Sequence, residues 1–210
     1  MRNYKTIESV STAEYSEKRS RFIATAYPCS SEEQAMRLLS AVRTKYWDAK
    51  HNVYAYVLKN GISRFSDDSE PHGTAGKPVF DVINGNNLEN VIVIVTRYFG
   101  GVLLGTGGLV RAYSTAARDA INKAQKITMC LCSHMSVECD YADYSILLTL
   151  IENACASVKN TEFTDKITVD FCLKNEDVEA FCQKLTETFS SRLEAKKTKE
   201  DYFSFKTEEF

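Results

Sequence analysis

A glycine-rich segment between two arginines has the composition of an anion-binding loop. It follows a β-branched run, Val91–Val95, and precedes residues with helical periodicity from about Leu109. Backbone N–H groups at a helix N-terminus attract anions, and glycines leave these groups uncovered. We expect Thr106 to cap the helix, and Arg97 and Arg111 to add guanidinium groups suited to phosphate or carboxylate. The glycines of this loop are Gly100, Gly101, Gly105, Gly107 and Gly108.

The loop matches neither of the common nucleotide-binding motifs. The sequence contains no G-x-x-x-x-G-K-[ST], and Val110 occupies the last position of a G-x-G-x-x-G pattern that begins at Gly105. A purely structural interpretation therefore stands beside anion binding. In it the glycines permit a tight strand-to-helix turn with close packing, and the arginines pair with acidic neighbours.

An acidic turn, Asp67-Asp68-Ser69-Glu70, precedes the loop in the chain. Several carboxylates close together are typical of Mg²⁺ or Ca²⁺ ligands, but the spacing of an EF-hand is absent. We therefore favour a structural interpretation, in which the Asp67 and Asp68 side chains cap local N–H groups or pair with Arg64 and Arg97. The sequence predicts no metal site and no cofactor.

His51 and Glu70 are candidates for general acid–base chemistry. Either side chain could accept a proton from a substrate if folding brought the two together with the glycine loop. The alternative for His51 is a hydrogen-bonded imidazole at the start of a strand, with no role in chemistry. No nucleophile and base can be paired from the sequence, so the catalytic residues are left unassigned.

Aromatic and basic residues in the first half of the chain also suit RNA, because bases stack on aromatic rings and arginines contact phosphates. Ordinary core and rim positions of a sheet explain the same aromatic residues. The predicted ligand-binding residues, taken together, are His51, Arg64, Asp67, Asp68, Glu70, Arg97, Tyr98, Gly100, Gly101, Gly105, Thr106, Gly107, Gly108 and Arg111.

The elements that must position these residues are strands and helices in mixed order. Alternating apolar residues predict strands, and a Ser31-x-x-Gln34 capping box opens the first helix. Pro78 lies near the start of a short helix that Asn84-Gly85 ends. The predicted strands are Thr6–Tyr15, Arg21–Tyr27, Asn52–Lys59 and Val91–Val95, and the last helix of this half runs from Leu109 to Ala124.

The second half of the chain reads βαββαβ, the order of a ferredoxin-like domain. Its predicted strands are Lys126–Cys139, Ser157–Phe163, Lys166–Leu173 and Thr198–Phe205, with helices Ala142–Ala154 and Asp177–Phe189. We thus expect an α+β protein of two domains, residues 1–125 and 129–210.

Charge separates the two halves. Residues 1–128 carry 17 Lys and Arg against 12 Asp and Glu, whereas residues 129–210 carry 9 against 16. The acidic half is a candidate protein-docking module, and the basic half permits RNA binding without requiring it.

The longest stretch without a charged residue, Tyr98–Val110, is too short to span a membrane, and the first residues lack an apolar signal core. We expect a cytoplasmic protein with reduced cysteines and no membrane contact.

Two segments carry a family resemblance. SDDSEPHGTAGKP at Ser66–Pro78 and VIVTRYFGGVLLGTGGLVRAY at Val93–Tyr113 closely resemble the IMPACT family, in particular its bacterial YigZ/YvyE-like branch. The segment Asp48–Tyr56, which contains His51, also resembles the family pattern. One departure is His72, where a small residue such as Ser is expected.

The resemblance implies a fold as well as a setting. An N-terminal α+β domain like the second domain of the small-subunit ribosomal protein S-five is expected, followed by a ferredoxin-like domain similar to those of elongation factor G. Both of those relatives act on the ribosome or on RNA. The eukaryotic family members act in translational control through an extra N-terminal domain that this chain lacks, so that partner interaction is not carried over.

Two functional hypotheses follow. The first is a non-enzymatic, translation-associated binding or regulatory protein that holds RNA, the ribosome or an anionic ligand at the glycine loop. The second is a small-molecule hydrolase or a phosphate-ligand enzyme that uses His51 and the Asp67–Glu70 turn, and it requires these groups to line one pocket.

Overall fold

The chain folds into two compact units. A computed structural model describes residues 2–204. Tyr4–Ile127 forms one unit, and Thr128–Ser204 forms the other together with Arg2 and Asn3. Antiparallel sheets and helices build both units, which confirms the predicted α+β class.

The first unit is built on an antiparallel sheet with the strand order β2-β3-β6-β4-β5. Its central strand, β6, is buried on both faces because its Val and Ile residues alternate between two layers of helices. The strands of this unit are β1 (Tyr4–Ile7), β2 (Ser11–Glu17), β3 (Ser20–Pro28), β4 (His51–Val57), β5 (Ser63–Ser66) and β6 (Val91–Tyr98).

Helices cover both faces of this sheet. The odd-numbered residues of β6, such as Val93 and Val95, pack in one cluster with α2 and α3, whereas Ile92 and Ile94 pack in another with α1. Arg97 continues the odd-numbered series and therefore projects toward the α3 side. The helices of this unit are α1 (Glu32–Lys45), α2 (Gly76–Gly85) and α3 (Thr106–Lys123).

Several predicted boundaries require correction. Thr6–Tyr15 is not one strand but parts of β1 and β2, because a bend at Glu8–Ser9 interrupts the extended backbone. The short strand β5, directly before the acidic turn, is not among the predicted strands. The third helix begins at Thr106 and not at Leu109, because its glycines adopt helical geometry despite their low propensity.

The second unit has the predicted ferredoxin-like topology. Its strands lie in the order β10-β7-β9-β8 with all neighbours antiparallel, and α4 and α5 contribute to one core with β7 and β9. The predicted last strand extended to Phe205, which lies outside the described residues. The elements are β7 (Lys126–Cys139), α4 (Tyr144–Asn153), β8 (Ser157–Phe163), β9 (Ile167–Lys174), a single 3-10 turn (Asn175–Asp177), α5 (Val178–Phe189) and β10 (Ala195–Ser204).

None of the helices within residues 2–204 combines the length and apolar character needed to cross a membrane. All seven cysteines are free thiols, and burial raises the pKa of Cys29, Cys139 and Cys182.

Candidate functional site

A buried carboxylate is the centre of the site. Oε1 of Glu70 accepts a hydrogen bond from Nη1 of Arg97 at 2.6 Å and another from the hydroxyl of Tyr113 at 2.7 Å. The side chains of Arg97 and Glu70 are only 6% and 4% exposed, so this ion pair is shielded from water. Separating the partners of such a pair would leave an uncompensated buried charge. The acidic turn, β6 and α3, which carry the three side chains, are therefore held in fixed positions.

Arg97 is held on several sides. Its guanidinium carbon lies 5.4 Å from the ring centroid of Phe22 and 5.6 Å from that of Phe99. Nη2 donates weakly to the hydroxyl of Ser20 at 3.5 Å, but the buried Nε has no hydrogen-bond partner within the described chain. The guanidinium therefore keeps its buried Nε–H donor uncommitted.

The Tyr113 hydroxyl is part of the same network. The ring is fully buried, and it packs edge-on against Phe22 with centroids 5.1 Å apart. Burial, and then the hydrogen bond to Glu70, raises the pKa of Tyr113 far above its usual range. The phenol is thus a fixed donor and not a proton source.

The carboxylate of Asp67 accepts hydrogen bonds from backbone N–H groups. Its Oδ1 accepts from the N–H groups of Ala75 and Gly76 at 3.1 and 2.8 Å, and its Oδ2 accepts from Gly73 at 2.9 Å. Burial raises the pKa of Asp67, but these three bonds outweigh burial and lower it overall. Because the carboxylate occupies the N-terminus of α2, the structural interpretation of Asp67 fits the geometry.

Asp68 also has a structural position. Its Oδ2 accepts from the backbone N–H of Asn52 at 2.6 Å, and its Oδ1 pairs with Arg43 at 2.8 Å. Asp68 and Ser69 both have positive φ, 45° and 69°. This left-handed pair turns the chain sharply, so that Glu70 points inward while Asp67 and Asp68 contact backbone groups.

His51 lies beside the Glu70–Arg97 pair. Strands β4 and β6 pair His51 directly with Arg97, and Nε2 of His51 lies 4.0 Å from Oε1 of Glu70. Nδ1 lies 2.9 Å from the carbonyl oxygen of Asp68. A carbonyl can only accept, so Nδ1 carries a hydrogen and the neutral ring presents an unprotonated Nε2.

The glycine loop brings the backbone close to the β2–β3 turn. A Cβ at Gly100 would lie 2.0 Å from the backbone carbon of Arg19, so this position accepts only glycine. Gly101 and Gly105 have φ of 82° and 71°, which glycine adopts without strain. The N–H of Gly100 donates to the Ser20 hydroxyl at 3.2 Å, which fixes the start of the loop.

The N-terminus of α3 is uncapped. Thr106 is the first helical residue and not the cap, because Gly105 holds the capping position with extended ψ and no side chain. The first helical bond is from the Leu109 N–H to the Gly105 carbonyl. The N–H groups of Thr106, Gly107 and Gly108 have no acceptor among the described residues, and the first turn carries no acidic side chain.

One cavity joins these features, and we call it the loop cavity. It has a volume of about 430 Å³, and its polar wall includes His51, Glu70 and Arg97. Gly105 and Thr106 bring the start of α3 to it. The remaining lining residues are Lys50, Pro71, Phe99, Leu103, Leu104 and Leu109.

Other predicted residues lie elsewhere. Arg64 pairs with Glu32 at 3.7 Å, and the Tyr98 hydroxyl donates to Asp48 at 2.7 Å. Tyr98 is an even-numbered residue of β6, so it projects from the sheet face opposite to Arg97. Arg111 is exposed and lines a different cavity of about 390 Å³ that also includes Arg118. No group of three metal-ligating side chains occurs among residues 2–204.

Two important residues were not assigned to the site from the sequence. Tyr113 was named only as the end of a family motif, although a tyrosine on the apolar face of α3 requires a buried partner for its hydroxyl. Lys50 received no role. Lys50 directly precedes His51, and residues at the start of a strand lie at the same edge of the sheet. This position was the signal that could have placed Lys50 at the site.

Comparison with known proteins places these features in a family. The model of the Impact N-terminal domain matches residues 18–121, and a domain of unknown function, DUF1949, matches residues 137–192. The loop cavity lies entirely within the first match. The chain is also similar to a crystal structure described only as that of a hypothetical protein, with a TM-score of 0.63, 27% identity and coverage of 96% of this chain and 100% of that one.

Two bacterial relatives match over most of their length. IMPACT family member YvyE of Bacillus subtilis is 28% identical over 93% of this chain and 91% of its own. IMPACT family member YigZ of Escherichia coli is 30% identical over 81% of this chain and 85% of its own. The predicted resemblance is thereby confirmed, and the chain belongs to the IMPACT family.

Proposed function

We propose that the chain is a binding protein that holds a small phosphate-bearing ligand in the loop cavity. The single observation that carries this proposal is the start of α3, where three N–H groups have no acceptor among the described residues and Thr106 lines the same cavity as the buried Arg97. An 18-residue helix concentrates about half a positive charge at such an end. Membership of the IMPACT family supports a binding or regulatory role at the level of the family.

The geometry favours a small ligand over an extended RNA strand. Arg97 is buried and paired with Glu70, whereas Arg111 is exposed at a different cavity. The two arginines therefore do not form the continuous surface that a strand of RNA would follow. A single phosphate needs only the helix end and the adjacent donors.

Substitution of Gly107 provides the test. A Cβ at Gly107 meets no atom within 4 Å. Gly107→Asp places a carboxylate in the first turn of α3, next to the N–H groups that would hold the anion, and the same charge stabilises the helix by about 0.3–1 kcal/mol. Gly107→Asn is the matched neutral control. We expect Gly107→Asp to weaken binding of inorganic phosphate at least tenfold in calorimetric titrations while its melting temperature is unchanged or higher, and Gly107→Asn to bind within about threefold of the unmodified chain.

Salt dependence distinguishes RNA from a small ligand. A strand that contacts Z phosphates loses affinity with a slope of about −0.7Z in a double-logarithmic plot, whereas one bound phosphate gives a slope near −1 or smaller in magnitude. A steep slope with single-stranded RNA that Gly107→Asp leaves unchanged would overturn the assignment to this cavity. An association with translation is a separate proposal, and co-sedimentation of the full chain with ribosomes tests it.

A further inference from the structure

His51 has an acceptor nitrogen, Nε2, with no hydrogen-bond partner in the described chain. Its hydrogen-bearing Nδ1 is fixed by the Asp68 carbonyl, and Nε2 lies beyond hydrogen-bond distance from Glu70 at 4.0 Å. Nε2 makes no other polar contact within the described chain, and the imidazole lines the loop cavity. An oriented acceptor in a ligand cavity meets the geometric requirement for a general base.

Glu70 adds a fixed charge next to this base. Both donors, Arg97 and Tyr113, use Oε1, so the carboxylate cannot rotate away from His51. The Glu70 oxygen therefore keeps its position 4.0 Å from Nε2 of His51. Glu70 is a positioning residue that fixes the polar wall of the cavity beside the base.

The charge and shape of the cavity indicate the class of substrate. Glu70 neutralises Arg97, which leaves Lys50 and the start of α3 as the positive groups. This balance suits one negative charge and disfavours two. The rest of the wall is mostly apolar and includes Phe99 and Leu103, which are 51% and 82% exposed. A phosphodiester has one negative charge and two organic substituents, one of which this wall can contact.

We infer that the loop cavity hydrolyses a phosphodiester, with His51 as the general base; this inference rests on the proposed phosphate binding. His51 Nε2 takes a proton from a water molecule, and the water oxygen forms a bond to phosphorus. The N–H groups at the start of α3 hold the non-bridging oxygens. The bond from phosphorus to the ester oxygen opposite the attacking water breaks, that oxygen takes a proton from solvent, and His51 returns its proton to solvent. The products are a phosphomonoester and an alcohol.

The probe is bis(p-nitrophenyl) phosphate, whose hydrolysis releases coloured p-nitrophenol. We expect His51→Gln in the full chain to lower kcat/KM by 10²-fold or more, in the range that a general base contributes. The matched control is His72→Gln, since His72 is fully exposed and lies outside the cavity. The control should retain activity within twofold, and circular dichroism should show that both variants stay folded.

Phosphate binding separates the two proposals. His51→Gln should still bind inorganic phosphate, whereas Gly107→Asp should lose both binding and turnover. If the unmodified chain binds phosphate and does not hydrolyse the diester, or if His51→Gln hydrolyses it equally fast, the catalytic inference is wrong and the binding proposal stands. Turnover of p-nitrophenyl acetate without turnover of the diester would overturn the substrate class. Absence of phosphate binding would overturn the proposed function itself.

Discussion

The hydroxyl of Tyr113 donates to the same oxygen of Glu70 that receives Nη1 of Arg97. One carboxylate oxygen thus connects the acidic turn, the central strand and the helix whose N-terminus opens at the loop cavity. Because Glu70, Arg97 and Tyr113 are almost completely buried, water cannot replace either donor when one of them is removed. The stability of the first unit should therefore respond strongly to changes at this oxygen.

Tyr113→Phe removes one of the two donors and keeps the ring. We expect a loss of about 1.5–3 kcal/mol in the free energy of unfolding, the range for a hydrogen bond to a charged group. Urea unfolding followed by circular dichroism measures this loss. Tyr98→Phe is the control, because its hydroxyl bonds to Asp48 at the surface, and a similar loss there would contradict the special position of Tyr113.

Arg97→Met removes the positive charge and approximately keeps the volume. The carboxylate of Glu70 then stays buried without its ion pair, and we expect a destabilisation of about 3–5 kcal/mol. The double variant Arg97→Met with Glu70→Gln removes both charges and should recover at least 1 kcal/mol of that loss. A double-mutant cycle from urea unfolding measures the coupling, and strictly additive losses would show that the two groups act independently.

Two glycines of the loop should respond to alanine in opposite directions. Gly100→Ala forces a Cβ into the backbone of Arg19, so we expect a loss of more than about 3 kcal/mol or failure to fold. Gly107→Ala meets open space within a helix and should stabilise the chain by about 0.4–1 kcal/mol. Thermal unfolding of both variants checks the pair. Equal effects would mean that the loop backbone differs from the one described.

Asp67→Asn tests the acidic cap of α2. The pKa of Asp67 is lowered in the folded chain, so its charged form stabilises the fold fully above about pH 4, and this stabilisation is lost as the pH falls through the lowered pKa. Asparagine keeps one acceptor but turns an amide toward the Gly73 N–H.

We therefore expect Asp67→Asn to cost about 1–3 kcal/mol at pH 7, with the difference from the unmodified chain shrinking toward pH 3. Urea unfolding at several pH values measures it. Asp81→Asn, at an exposed position of the same unit, should change stability by less than about 0.5 kcal/mol at any pH. A difference for Asp67→Asn that persists unchanged at pH 3 would contradict the role of its charge.

The fold class and the family could be predicted from the sequence because their signals are local or extended over long motifs. The continuous β-branched run Val91–Val95 is typical of a strand buried on both faces, and the βαββαβ order of the second half was confirmed by the strand order of its sheet. The break between β1 and β2 was missed, because Glu8–Ser9 bears no proline or glycine that would mark it.

The candidate site could be predicted only in part. The helix start and the residues His51, Glu70 and Arg97 meet at one cavity, but Asp67 and Asp68, which the enzymatic hypothesis also required there, do not line it. The different positions of Asp67 and Glu70 in one short turn were not predictable, since they depend on positive φ at two residues that are not glycine. The separation of Arg111 from Arg97 depends on helix phase relative to the sheet, which no local pattern encodes.

The shared oxygen of Glu70 also determines when the site can exist during folding. Its two donors, Arg97 and Tyr113, are 27 and 43 residues from Glu70 along the chain. Ser20 contacts Arg97 from a position 77 residues before it. Contacts of such sequence separation form late, after the intervening loops have closed. A nascent or partly unfolded chain therefore cannot carry the loop cavity, and ligand binding reports completion of the entire first unit.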